Sequence, residues 1–102
     1  MKKITMYLNN KEYERNGISA GDYEEFTEIR DTVNPDGDYS KEDIKGIRKA
    51  LVIAFGGQFT EEELRQMDVT ELIYQFMAVD ALIAAGLKEK VEKMKADFGI
   101  GE

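Results

Sequence analysis

Segment 32–43 carries the side chains best suited to holding a metal ion, namely Asn34, Asp36, Asp38 and Asp43. With Gly37 taken as the sixth position, their spacing is that of an EF-hand calcium loop, which presents oxygen ligands at alternate positions. Thr32 stands where such a loop begins with Asp, and the twelfth position, Asp43, is shorter than the usual bidentate Glu. These departures favour a polar turn followed by a helix that Ser40 caps, and they leave calcium binding as the alternative.

Catalytic chemistry has few candidate residues in this chain. There is no Cys and no His, which removes thiolate nucleophiles and the usual general base. Carboxylates cluster at Glu24 and Glu25 and again at 61–63. Neighbouring residues on a helix point about 100° apart, so these groups do not converge on one substrate atom. The sequence therefore predicts a protein that is not an enzyme and needs no cofactor.

Charge and hydropathy limit the classes of partner. Fourteen Lys and Arg against 21 Asp and Glu give a net charge of -7, which argues against nucleic acid because phosphate binding needs a cationic surface. The start of the chain lacks the apolar run of a secretory signal. The most apolar stretch, 76–87, is shorter than the ~20 residues of a membrane span. We therefore expect a cytoplasmic protein that binds neither nucleic acid nor membrane.

The pattern of elements predicts one domain over residues 1–102, mainly α, with about four helices. Residues 1–17 favour a β-hairpin or short strand, because apolar and polar side chains alternate up to the turn residues Asn9 and Asn10. Residues 18–98 form the helical body, in which Ser19, Ser40 and Thr60 are candidate N-caps. We expect 99–102 to fray.

The long helix that begins near Thr70 is the most informative element. From 76 to 87 it is apolar on nearly every side, interrupted only by Asp80. Together with the apolar segment 51–55, it exceeds what a hairpin and two short helices can cover, which favours a homo-oligomer over a monomer built around this helix. Asp80 should then pair with a Lys or Arg or face a polar opening. The side chains predicted to bind a protein partner are Leu51, Phe55, Phe59, Leu72, Ile73, Phe76, Met77, Leu82, Ile83 and Leu87.

The order of segments resembles the tail assembly chaperones of long-tailed phages and prophages of Gram-positive bacteria. The resemblance covers most of the chain. It begins with the basic strand 2–5 and its Asn-Lys turn, and continues with a helix of the Asp-Tyr-Glu-Glu-Phe kind at 22–26. Its most specific part is Ala-Phe-Gly-Gly-Gln-Phe-Thr-Glu-Glu at 54–62, and residues 68–73 with the long apolar helix follow.

This resemblance implies a non-catalytic, mostly helical, oligomer-forming protein of the host cytoplasm, absent from the mature virion. Such chaperones hold the tape measure protein soluble and help to recruit tail tube subunits. The acidic composition of this chain leads us to expect client helices that carry basic residues beside their apolar stripe.

Overall fold

The computed structural model describes residues 3–34 and 36–98, except for the side chain of Phe98. The chain forms an antiparallel β-hairpin followed by four helices, so the predicted mainly α fold is confirmed. The frayed tail predicted for 99–102 lies outside the described residues. The elements are β1 (Ile4–Leu8), β2 (Lys11–Arg15), α1 (Ala20–Arg30), α2 (Lys41–Ala54), α3 (Glu61–Arg65) and α4 (Val69–Phe98).

The hairpin turns at the two residues predicted from the sequence. Asn9 and Asn10 both have positive φ, 54° and 64°, a conformation that Asn tolerates better than most residues. The alternation in β1 places its apolar side chains on one buried face, where β1 packs against α4. A two-stranded hairpin is marginal alone in water, so this packing stabilises it. The buried side chains of β1 are Ile4, Met6 and Leu8.

Side-chain caps start three of the helices at the predicted residues. The Oγ of Ser19 accepts a hydrogen bond from the backbone N–H of Asp22 at 3.1 Å. Ser40 with Asp43, and Thr60 with Glu63, form reciprocal capping boxes that satisfy backbone donors at the first turns of α2 and α3. These boundaries are therefore set by local chemistry.

One core joins the hairpin to all four helices. Phe26 of α1 is fully buried, and its ring centroid lies 5.7 Å from that of Phe76 in α4. Leu51 and Phe55 contribute the inner side of α2, and Leu64 comes from α3. The inner side of α4 packs against this cluster, and its buried apolar side chains are Leu72, Phe76, Val79 and Ile83.

Arg15, the last residue of β2, links three elements. Its Nη1 donates to the carbonyl oxygens of Ile53 at 3.1 Å and Ala54 at 3.0 Å, at the end of α2. Its Nη2 lies 2.9 Å from Oδ2 of Asp22 in α1. A cation at a helix C-terminus is favoured by the helix dipole, and the side chain is only 23% exposed. Arg15 therefore fixes the hairpin against α1 and α2.

Candidate protein-interaction surface

Most of the side chains predicted to bind a partner belong to the core of the chain itself. Six of the ten are at most 5% exposed, so they are not available as an interface in this structure. α1, α3 and α4 pack against α2 and β1 packs against α4, so the chain itself covers these side chains. These six side chains are Leu51, Phe55, Phe59, Leu72, Phe76 and Ile83.

The other four predicted residues lie at or near the surface of α4. Ile73 is half-buried against the core, and Leu82 and Leu87 line a cleft with Ile4 of β1. Met77 and Leu87 are exposed, at 59% and 44%. Within one chain α4 is therefore covered on one side, and apolar side chains beyond those that the core uses stay exposed on another.

That side carries a row of apolar residues interrupted by one carboxylate, which we call the outer seam and define as Met77, Asp80, Ala84, Leu87, Val91 and Met94. Four of its side chains are large, apolar and between 42% and 59% exposed. At 100° per residue the seam lies roughly 80° around the helix from the buried inner side. The helix thus has two apolar sides, of which the chain covers only one.

The seam has the spacing of a coiled-coil heptad. Met77, Ala84 and Val91 recur every seven residues, and Asp80, Leu87 and Met94 follow each of them by three, as a and d positions do. Between 84 and 97 no side chain is buried, so this end of α4 lies against little of the body. Val91 and Met94 were missing from the sequence prediction. The seven-residue repeat is the signal that would have found them.

Lysines border the outer half of the seam. Lys88 and Lys95 lie one heptad apart on one flank of the seam, and Lys90 lies on the other flank, three residues after Leu87. Residues 84–97 carry four Lys against three Asp and Glu, in a chain whose net charge is -7. The local charge beside the seam is therefore the reverse of what the composition led us to expect.

Asp80, the polar residue of the seam, pairs with another helix as predicted. Its Oδ1 lies 3.3 Å from Nη1 of Arg30 in α1, and its side chain is 34% exposed. Burial by itself would lower the pKa of Arg30, but hydrogen bonds to Asp31 and Asp80 outweigh that effect and raise it. The guanidinium therefore stays charged over the working pH range, and the carboxylate has a permanent partner.

The variant Asp80→Leu should leave the fold intact. We expect the free energy of unfolding to change by no more than about 1 kcal/mol, because the pair is partly exposed and such pairs contribute little. The new Leu would complete the apolar d positions of the seam, so we expect more self-association. Urea unfolding and analytical ultracentrifugation measure the two effects, with Asp31→Leu as the control outside the seam. A loss above about 3 kcal/mol would contradict this account of the pair.

Segment 32–43 uses its candidate ligands locally. Oδ1 of Asn34 accepts the backbone N–H of Asp36 at 2.9 Å, and Oδ2 of Asp43 accepts that of Ser40 at 3.1 Å. Within residues 3–34 and 36–98, no three acidic side chains are grouped so that they could hold a metal ion. Asp38 is exposed. The observed geometry is that of a turn and a cap, and no observation favours the calcium-binding alternative.

By length and composition alone, Val69–Asp97 could cross a membrane, although the expected apolar stretch was shorter. The criterion is weak, because the core helix of a soluble protein satisfies it too. Only 28% of its most apolar window is buried inside the structure. The apolar character that satisfies this criterion combines the buried inner side of α4 with the outer seam.

Comparisons with known proteins assign no function to this chain, so its function is argued from the exposed surface of α4. No protein-family model matches the chain, and no curated protein or solved structure matches it significantly. The feature that stands out is an exposed heptad seam, bordered by lysines, on a helix whose inner side holds the core.

Proposed function

We propose that this protein is a tail assembly chaperone. It would bind the tape measure protein, keep it soluble and help to recruit tail tube subunits, in the host cytoplasm and without catalysis. The observation that supports this proposal is the outer seam, because large apolar side chains exposed in a row form a surface that a partner can cover. The resemblance of the segment order to such chaperones gives the partner its identity.

A helical client fits the shape of this surface. An amphipathic helix binds through apolar side chains spaced three and four residues apart, and the seam offers the matching spacing on α4. From Met77 to Met94 the seam covers 18 residues and is roughly 25 Å long at a rise of 1.5 Å per residue. That length accommodates more than two heptads of a client helix, which suits a long helical protein such as a tape measure.

Self-association is the second part of the proposal. Three large side chains outside the seam are also exposed, namely Tyr7, Val69 and Tyr74, at 58%, 52% and 65%. They lie on the hairpin and on the first turns of α4, away from the lysine-bordered end. We place the contact between copies there, so that an oligomer would keep its seams free for the client.

Co-expression with a fragment of the tape measure protein tests the chaperone function. We expect the fragment to stay in the soluble fraction with the wild-type chain and to precipitate when expressed alone. The variant Met94→Asp should lose this effect, because it puts a carboxylate into the apolar contact. Ala96→Asp is the matched control, since it adds the same charge two residues away on the opposite side of the helix.

The outcomes distinguish whether the protein acts as a chaperone from whether the client binds at the seam. Equal precipitation with and without the wild-type chain, with no complex surviving gel filtration, would refute the chaperone proposal. If Met94→Asp protected the fragment as well as Ala96→Asp, the client would bind elsewhere than at the seam. Circular dichroism of both variants verifies that the helix content is unchanged.

A further inference from the structure

We infer that the outer half of the seam, Ala84 to Met94, binds a helix of another protein whose own apolar seam is bordered by Asp or Glu, and does not bind a second copy of this chain. The inference rests on the proposed function only in taking the partner to be a helix. In paired helices, the positions beside the apolar seam select the partner and its direction.

Lysines hold three of the four border positions between 88 and 97, and the fourth, a g position, is Asp97. With Val91 at position a, Lys88 and Lys95 fall at e, and Lys90 falls at g. Lys88 and Lys95 are exposed, and Nζ of Lys95 lies 4.0 Å from a carboxylate oxygen of Glu92 on the same helix, a weak pair. Lys90 is half-buried beside Gly17, and its side chain lines the cleft that Leu87 shares with Ile18. The ammonium groups of Lys88 and Lys95 are therefore placed to meet charges on a helix lying along the seam, whereas that of Lys90 lies beside Gly17.

A second copy would bring like charges together. In a parallel pair, Lys90 of one chain faces Lys95 of the other, since position g lies opposite the e position five residues later. The two Asp80 side chains would also share one d layer. In an antiparallel pair the e positions face each other, which sets Lys88 against Lys95, and the g positions set Lys90 against Asp97. Like charges at these positions are destabilising, whereas Glu or Asp on the partner would form a favourable pair with each Lys.

The net charge of -7 does not reverse this preference. At physiological ionic strength, charges farther away than about 8 Å are largely screened. The charged side chains next to the outer half along the helix are those of segment 84–97, with four Lys against three Asp and Glu. The partner is therefore chosen by the border of the seam and not by the composition of the whole chain.

Two synthetic 28-residue peptides test the inference on the full chain. Both have Leu at every a and d position, and they carry either Glu or Lys at every e and g position. Like charges at e and g discourage each peptide from pairing with itself, so the two probes are comparable. We expect the Glu peptide to bind about tenfold more tightly than the Lys peptide at about 0.1 M salt, as measured by fluorescence anisotropy. This difference in affinity between the two peptides should become smaller at about 1 M salt, because salt screens the charges.

Charge reversal supplies the matched variants. Lys88→Glu/Lys95→Glu should reverse the preference between the peptides, whereas Lys45→Glu/Lys49→Glu, which makes the same charge change on exposed positions of α2, should leave it unchanged. Equal affinity for the two peptides, or a reversal by the α2 variant, would overturn the inference. A dimer of the wild-type chain that Val91→Asp dissociates would also overturn the inference. The same holds if phosphatidylcholine vesicles bind the chain and prevent the Glu peptide from binding.

The result can be read separately from that of the chaperone experiment. If the tape measure fragment is kept soluble but the peptides bind equally, the charge preference is wrong and the chaperone function stands. If the Glu peptide is preferred but the fragment precipitates, the seam selects an acidic-bordered helix that belongs to some other partner.

Discussion

Replacing Phe26 with Ala is expected to lower the free energy of unfolding by about 3–5 kcal/mol. Phe26 is fully buried and packs its ring against Phe76, so the substitution opens a cavity where α1 meets α4. The surrounding helices can close such a cavity only in part, because their side chains are already fixed in the core. Urea unfolding followed by circular dichroism measures the loss, and Phe26→Leu should give a smaller one.

Met77→Ala is the control for this prediction. Met77 also lies on α4, one residue after Phe76, but it belongs to the seam and is 59% exposed. We expect its removal to change the free energy of unfolding by no more than about 0.5 kcal/mol, as for most surface substitutions. Comparable losses for Phe26→Ala and Met77→Ala would mean that the two apolar sides of α4 have been assigned wrongly.

The variant Arg15→Ala is expected to lower the free energy of unfolding by about 2 kcal/mol. The substitution removes two charge-assisted hydrogen bonds to carbonyl oxygens at the end of α2 and the ion pair with Asp22. Hydrogen bonds to a charged group contribute roughly 1.5–3 kcal/mol, and the partial exposure of the site reduces this total. The loss would be seen as a lower urea midpoint, and the hairpin amides should exchange hydrogen faster than those of α4.

Two variants test whether the branched shape of the Arg15 guanidinium, and not only its charge, contributes to stability. Arg15→Lys should recover only part of the stability, because one ammonium group cannot reach both carbonyls and the carboxylate with the same geometry. Arg65→Ala removes an exposed ion pair with Glu62 on α3, 3.6 Å long, and should change stability by less than about 0.5 kcal/mol. If Arg15→Ala were equally mild, the hairpin would be held by the apolar side chains of β1 alone.

These predictions concern the part of the molecule that orients the seam. Phe26 and Phe76 determine which side of α4 faces the body, and Arg15 holds the hairpin that covers the inner side. The seam itself contributes little to folding, which is why its side chains can be changed without unfolding the chain. This separation makes the binding experiments interpretable.

The sequence by itself determined the elements and the residues at which α1, α2 and α3 begin. Caps at Ser19, Ser40 and Thr60 act within three residues, and so does the Asn9 and Asn10 turn. Interactions over such short distances along the chain can be predicted without knowing the fold. The expected start of α4 at Thr70 differs from the observed Val69 by one residue. The sequence also predicted that Asp80 needs a cationic partner or a polar opening, because a carboxylate among apolar residues requires one.

Only the tertiary structure decided which apolar side chains are core and which remain exposed. Residues 76–87 are apolar around most of the helix, so periodicity could not distinguish Phe76 from Met77 or Ile83 from Leu87. The distinction depends on where the hairpin, α1 and α2 lie against α4, through contacts between residues far apart in the chain. For the same reason the net charge of -7 did not reveal the lysines beside the seam, because composition averages over surfaces that folding separates.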